Sequence, residues 1–137
     1  MASRTFNPKL HVMTYTPVGI LTGLNDGEFL NIEKNSDAMT LKVGADGESA
    51  VAVNADESGR VTVTVLATAE INRALSLACA TRARGALQIK DLSGTLVASA
   101  EDAWIMKEAP ISRSKEVESR AWVFESGELL IVGGGNL

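Results

Sequence analysis

The chain contains little of the chemistry on which most enzymes and metalloproteins depend. Its 137 residues include one cysteine, Cys79, and one histidine, His11. A single cysteine excludes an internal disulfide, and the two residues together are too few to ligate a structural zinc ion. They are also far apart in the sequence, so we do not expect a Cys–His catalytic pair. We therefore predict no enzymatic activity, no metal site and no cofactor.

Two further absences disfavour membrane and nucleic-acid functions. No stretch approaches the roughly 18 uncharged apolar residues of a membrane span, and the first residues lack the apolar run of a secretory signal. We therefore expect a protein made in the cytoplasm, with no membrane segment. The 13 Lys and Arg residues are outnumbered by 17 Asp and Glu residues, and the net charge of −4 argues against tight binding to phosphates.

The charges are arranged in blocks of alternating sign. Residues 1–20 carry a net charge of +2, residues 21–60 carry −5, residues 61–100 carry +2 and residues 101–137 carry −3. In a self-associating protein, a basic segment on one copy can face an acidic segment on the next. The pattern therefore favours contacts between identical copies.

The balance of residue types indicates a β-rich fold. Hydrophobic residues make up 45% of the chain but aromatic residues only 4%, and 12 glycines supply frequent turns. Alternation of apolar and polar residues predicts about eight to ten short strands, of which 60–66 is the clearest. Its odd-numbered valines should face the core, whereas Thr62 and Thr64 should face outward. A second alternating segment, 39–43, predicts a half-buried strand.

One helix is predicted among the strands. Apolar residues recur at three- and four-residue steps over 69–82, and Thr68 is placed to cap the helix N-terminus. Earlier in the chain, the Asn-Asp-Gly turn at 25–27 predicts a hairpin between strands at 18–24 and 28–34.

These elements fit a single domain. We expect one mainly β domain over 1–137, a β-sandwich or barrel-like subunit with one flanking helix. Residues 1–17 should form an N-terminal arm, as a short edge strand or an extended tail, and 133–137 a flexible C-terminal tail.

Candidate ligand sites each have a plainer interpretation. Acidic glycine-containing turns such as 46–48 lack the spacing of a calcium loop and are typical of β-turns. Trp104 and Trp122 could stack on a sugar or a base, but among six aromatic residues they are more typical of core anchors. Glu116 and Glu118 share one face of a predicted strand, where flanking basic residues favour a solvated charge ladder.

Many strands without catalytic chemistry favour self-assembly, because open strand edges can pair with further copies. The order and spacing of several segments resemble the small tail tube proteins of contractile-tailed bacteriophages. The resemblance runs from about residue 13 to residue 135, and the segments that carry it are 23–27, 29–35, 43–48, 58–66, 89–94, 103–105, 120–124 and 133–134, with Asn72, Leu75 and Ser76 in the helix.

The resemblance implies a phage tail tube fold and a structural role in the virion. Six copies would form a ring, and rings would stack into a hollow tube through which DNA passes during ejection. The partners would be other copies of the chain, together with the sheath, baseplate and terminator proteins of the tail. Passing DNA would not be bound specifically, and no residue would be catalytic.

The residues also suggest how such a tube would be lined and stacked. A conduit for DNA needs a polar lining that does not hold phosphates. The expected lumen-facing residues are Ala52, Asn54, Thr62 and Thr64. The expected contacts between rings join the acidic residues Asp46, Glu48, Asp56 and Glu57 to the basic termini or to Arg82 and Arg84.

Two alternatives remain open at this point. The chain could be another structural protein of a phage, such as a terminator, a baseplate component or a head decoration protein. It could also be a ligand-binding β-sandwich, which would require an exposed tryptophan platform formed by Trp104 or Trp122.

Overall fold

The computed structural model of the chain describes residues 11–24, 29–91, 97–112, 114–116 and 118–132. The described residues contain ten strands and one helix. In chain order they are β1 (His11–Tyr15), β2 (Gly19–Ile20), β3 (Leu30–Lys34), β4 (Met39–Val43), β5 (Ser49–Val53), β6 (Gly59–Leu66), α1 (Ile71–Ala80), β7 (Arg84–Asp91), β8 (Val97–Ile105), β9 (Ser119–Ser126) and β10 (Leu130–Val132).

Most strands form one antiparallel sheet. Its order is β2-β1-β7-β8-β9-β6-β3, and β10 pairs with β8 beside this path. Residues 97–99 of β8 pair with β10, whereas residues 103–105 pair with β9, so the sheet divides along this strand. Strands β4 and β5 form a separate two-stranded sheet. The predicted mainly β fold with one helix is confirmed.

The hydrophobic core covers one face of the large sheet, as β6 and β9 illustrate. Val61, Val63 and Val65 are each at most 2% exposed, and the cross-strand partners of the first two are Phe124 and Trp122. The two threonines between the valines are half-buried on the opposite face. The predicted alternation along this strand is therefore confirmed.

The helix spans 71–80 and is shorter than the predicted range 69–82, because its two capping residues, Glu70 and Thr81, lie inside that range. Glu70, rather than Thr68, occupies the N-cap position, and its side chain makes no capping hydrogen bond. At the other end, the Thr81 hydroxyl donates a hydrogen bond to the backbone oxygen of Leu77 at 3.0 Å.

The buried side chain of Asn72 joins the helix to the sheet. Its amide nitrogen donates to three backbone oxygens in the turn before the helix, those of Leu66, Ala67 and Ala69. Its side-chain oxygen accepts a hydrogen bond from Nε1 of Trp122 at 3.0 Å. The helix therefore packs over the core at a fixed point, and Trp122 is the core anchor that the sequence predicted.

The second half of the predicted N-terminal arm is part of the sheet. Strand β1 lies between β2 and β7, so it is not an edge strand. Met13 and Tyr15 are at most 1% exposed, and the Tyr15 hydroxyl lies 3.1 and 3.2 Å from the backbone oxygens of Ala83 and Ala103. The prediction of an arm at 1–17 is therefore wrong for 11–15. Residues 1–10 and the predicted tail at 133–137 lie outside the described residues.

The predicted hairpin around 25–27 is also wrong. Strand β2 pairs with β1, and β3 pairs with β6, so the two sides of the turn have different partners. The turn itself lies outside the described residues. A local turn signal predicts a change of direction, but tertiary packing decides which strands then pair.

Candidate assembly surfaces

Strands β4 and β5 extend the β3–β6 pair as a hairpin; we call residues 39–53 the hairpin arm. Alternation and cross-strand pairing place five apolar side chains on one of its faces: Met39, Leu41, Val43, Val51 and Val53. Their exposed fractions lie between 62% and 77%. The strand predicted at 39–43 is confirmed, but its predicted half-burial is wrong, because alternation reveals an apolar face but not what covers it.

The opposite face of the hairpin arm is small and polar. Thr40 pairs with Ala52, and Lys42 pairs with Ala50. An isolated two-stranded hairpin is marginally stable in water, and a contiguous exposed apolar face is typical of an interaction surface. The apolar face is therefore suited to packing against protein, and the face that carries Ala52 is suited to solvent.

Polar side chains fix the point at which the hairpin arm leaves the core; we call Asn35, Ser36, Asn54, Asp56 and Ser58 the polar junction. The hydroxyls of Ser36 and Ser58 each donate to the Asp56 carboxylate at 2.6 Å. The side-chain oxygen of Asn54 accepts from the Asp56 amide at 3.0 Å, and Nδ2 of Asn35 donates to the Ser58 hydroxyl at 3.0 Å. The junction therefore links the two strands through side chains.

These hydrogen bonds favour the ionised form of Asp56. Donation from Ser36, and then from Ser58, lowers the pKa of its carboxyl from 3.8 to about 2. Both Asp56 and Asn54 thus make their hydrogen bonds within the chain. Beside them, the backbone oxygen of Glu57 accepts from Nζ of Lys34 at 3.1 Å.

The outer face of β6 forms a second surface of small and polar character. Thr62 lies opposite Asn31 of β3 and Val123 of β9. On the same face, Nε of Arg60 lies 3.2 Å from Oε1 of Glu125, so the cation is balanced by a neighbouring carboxylate. We call this surface, centred on Thr62 and Thr64, the threonine face.

A third surface is a groove beside the C-terminal end of the helix. It has a volume of about 510 Å³, and we call it the basic groove; its lining residues are Cys79, Arg82, Arg84, Trp104, Ile105 and Met106. Arg82 is exposed and has a left-handed backbone with φ of 55°. The guanidinium of Arg84 lies 5.1 Å from the Trp104 ring centroid and pairs with Asp102.

The two tryptophans therefore have different environments. Trp122 is fully buried, whereas Trp104 is half-buried and lines the basic groove. The core-anchor prediction is confirmed for Trp122 and is wrong for Trp104.

The predicted charged strand is also wrong, because Glu116 and Glu118 precede β9.

The described residues offer no catalytic arrangement. Cys79 is half-buried against the core, and burial raises the pKa of its thiol, which makes it a poor nucleophile. Across the described ranges, no cluster of three or more His, Cys, Asp or Glu residues could hold a metal ion. The described helix is also too short to cross a membrane.

Comparison with known proteins identifies the family. A family model described as bacteriophage PhiTE tail tube protein matches residues 18–134. A curated relative, the structural protein ORF10 of Pseudomonas phage KPP10, is 28% identical over 150 aligned positions, which cover 99% of this chain and 87% of the relative.

Solved structures of contractile injection systems share the fold. The tube terminating cap of the anti-feeding prophage has a TM-score of 0.65 at 8% identity, with 96% of this chain and 93% of the cap covered. The sheath/tube terminator of an extracellular contractile injection system has a TM-score of 0.61 at 9% identity, with 97% and 100% covered. The chain belongs to the bacteriophage PhiTE tail tube protein family and is therefore a structural protein of the phage tail, located in the virion.

Proposed function

We propose that this chain is the subunit of the inner tail tube, in which homohexameric rings stack into a conduit for DNA ejection into the host cell. The observation that carries the proposal is the hairpin arm, whose apolar face is 62–77% exposed in the isolated chain. In an assembly of identical subunits, the same surface of a neighbour can cover the apolar face of every arm. When the two surfaces in contact are different parts of the chain, the contact repeats from copy to copy and forms either a closed ring or a continuous stack.

The lining that we propose for the tube consists of small and polar side chains. Thr62 and Thr64 supply it from the threonine face, and Ala52 supplies it from the solvent-suited face of the hairpin arm, with Asn54 at the polar junction between them. The cations on these faces are Lys42, beside Ala52, and Arg60, which Glu125 balances, so each copy adds few positive charges to the wall. The net charge of −4 for each copy also opposes tight binding of DNA.

Contacts between successive rings are proposed to be electrostatic. Asp46 and Glu48 lie at the exposed tip of the hairpin arm, where they can reach Arg82 or Arg84 of another copy. Asp56 and Glu57 lie at the base of the arm and support its position. Sheath, baseplate and terminator proteins would complete the tail around this tube.

Negative-stain electron microscopy of the purified protein tests self-assembly. Wild-type protein should form rings or tubes with a central hole, whereas Leu41→Ser/Val51→Ser should remain as folded single subunits because the apolar face has been made polar. The matched control, Thr40→Ser/Ala52→Ser, changes the opposite face and should assemble. Wild-type protein that stays monomeric at high concentration, or normal tubes from the apolar-face variant, would contradict the proposal.

A second candidate function is that of a tube terminator. It is favoured by the two solved structures with the same fold, which are a terminating cap and a sheath/tube terminator. The same micrographs distinguish the two functions. A tube subunit continues to stack and gives filaments of variable length, whereas a terminator stops at a single ring.

The proposed lining is tested by adding positive charge to it. Phage that carry Thr62→Lys/Thr64→Lys should build tails of normal length but eject DNA slowly, because the new ammonium groups attract phosphates. Ejection at the wild-type rate from tubes of normal appearance would show that these two residues do not line the lumen.

A further inference from the structure

We propose that the basic groove of one copy receives the tip of the hairpin arm of a second copy. The inference rests on the proposed function, because it names the two surfaces through which identical subunits make contact. The tip comprises residues 44–48, between strands β4 and β5. The groove and the tip are different surfaces, so the contact is head-to-tail and can repeat along an assembly.

Charge complementarity is the first argument. The tip carries two exposed carboxylates, on Asp46 and Glu48, and the groove is lined by two guanidinium groups, on Arg82 and Arg84. Arg84 is already paired with Asp102 in its own chain, so the exposed Arg82 is the main cation at the groove. Opposite charges on two surfaces orient them as they meet and penalise wrong pairings.

Apolar complementarity is the second argument. Beside the tip, the Leu41 and Val43 side chains of the apolar face are 65% and 62% exposed. In the groove, Met106 is 43% exposed and Trp104 is half-buried. Contact between these surfaces would remove apolar area from water on both sides, at about 25 cal/mol for each Å² that is buried.

The size and shape of the two surfaces also agree. The groove is open to solvent and has a volume of about 510 Å³, so it can receive a loop tip but not a whole sheet. The tip is a compact turn, in which the Gly44 amide donates to the Glu48 backbone oxygen at 2.7 Å and the Glu48 amide donates to Asp46 Oδ1 at 3.2 Å. A turn that is already formed loses little entropy on docking.

The hairpin arm is long enough to reach a neighbour. Each of its strands has five residues. At roughly 3.4 Å for each residue, the strands carry the tip about 17 Å beyond the polar junction. Every residue of the arm is exposed, so the tip projects from its own core and is accessible to a second copy.

Disulfide trapping tests the contact directly. The native Cys79 thiol is half-buried, so it is replaced by serine, and the exposed groove residue Met106 supplies the receiving thiol instead. Under mild oxidation, assembled Ala45→Cys/Met106→Cys/Cys79→Ser protein should form intermolecular disulfides between the tip and the groove. The matched control Ala52→Cys/Met106→Cys/Cys79→Ser places a thiol near the base of the arm and should not form them, and Ala45→Cys/Cys79→Ser, which lacks the groove thiol, should not form them either.

Charge reversal tests the same contact by function. Asp46→Lys and Arg82→Glu, each alone, should raise the concentration needed for assembly at least about tenfold, since each places like charges in the contact. The double variant Asp46→Lys/Arg82→Glu should recover most of the loss. Thermal unfolding of each variant as a dilute subunit checks that the fold is retained.

The outcomes separate this inference from the proposed function. Tubes that assemble normally but show no cross-link between Ala45→Cys and Met106→Cys, and no rescue by the double variant, would overturn the inference and leave the tube function standing. In that case the groove would be open to another protein of the tail. Absence of any wild-type assembly would instead contradict the proposed function itself.

Discussion

Single residues fix this fold where the sequence pattern alone does not, and Asn72 is the main example. It is 7% exposed and connects the helix, the turn before it and the indole of Trp122. Replacing it by alanine leaves the Trp122 N–H and several backbone oxygens without this partner. Since each unsatisfied buried group costs about 1–3 kcal/mol, Asn72→Ala should lower the free energy of unfolding by about 3 kcal/mol.

Urea denaturation of the unassembled subunit measures this loss. The matched control is Ser76→Ala in the same helix, where the side chain is partly exposed and bonds to Glu108 at 2.8 Å. Because water can replace that bond, the control should lose less than about 1 kcal/mol. Equal losses in the two variants would show that Asn72 has no special role.

Asp56 gives a prediction about pH at the same scale. The folded chain lowers the pKa of its carboxyl to about 2, from an ordinary value of 3.8. The stabilising contribution of the ionised form is therefore complete above the ordinary value and is lost as the pH falls through about 2. In Ser36→Ala/Ser58→Ala, which removes both hydroxyl donors, the pKa should move back toward 3.8.

Carbon-13 NMR of the Asp56 carboxyl in the unassembled subunit follows this titration. The Ser36→Ala/Ser58→Ala variant, measured in the same way, provides the comparison. A wild-type midpoint for Asp56 at 3.8 would mean that the polar junction does not hold the carboxylate as described.

At the scale of elements, the sequence predicted best where alternation and burial coincide. Strand β6 is the clearest case, because Val61, Val63 and Val65 each face the core. The hairpin arm has the same apolar alternation, but its cover is not in the same chain. Periodicity cannot distinguish a face that is buried within the chain from one left exposed for a neighbour.

The polar junction explains a second limit of the sequence pattern. Backbone hydrogen bonds join Asn35 to Ser58 and Ala38 to Asn54, so two residues on one strand oppose three on the other. An extra residue of this kind interrupts the side-chain alternation. The shared face that we predicted for Ala52 and Thr62 assumes unbroken alternation, which is why it stays a proposal.

Gly59 supplies a prediction about how the first residue of β6 packs. A Cβ atom there would lie 2.4 Å from Cδ2 of Leu129 and 2.9 Å from the backbone oxygen of Glu33. Gly59→Ala should therefore destabilise the subunit by about 1–3 kcal/mol, because Leu129 or the neighbouring strand must move.

Thermal unfolding of dilute subunits tests this close packing. The matched control Gly127→Ala adds the same methyl group where no atom lies within 4 Å, so its unfolding midpoint should stay close to the wild-type value. A Gly59→Ala midpoint equal to that of the control would contradict the close approach of Leu129.

At the scale of the whole molecule, composition and segment order were sufficient to predict the fold class and the family. The structure also locates two of the alternating charge blocks. Asp46 and Glu48, at the tip of the hairpin arm, belong to the block with net charge −5, and Arg82 and Arg84, at the basic groove, belong to a block with net charge +2. The basic groove could not be predicted from the sequence, because its lining residues come from separate elements of the fold. It brings together Cys79 of the helix and Trp104 of β8, and no local spacing connects them.

The proposed function requires that the hairpin arm, which is exposed in the single subunit, is covered in the assembled tube. Hydrogen–deuterium exchange of residues 39–53, compared between dilute wild-type subunits and assembled tubes, measures this change. Amide exchange in the arm should slow at least about tenfold on assembly, while exchange in β1, which contributes to neither the basic groove nor the proposed lining, should change little. Equal exchange rates in the arm in both states would contradict the proposed function.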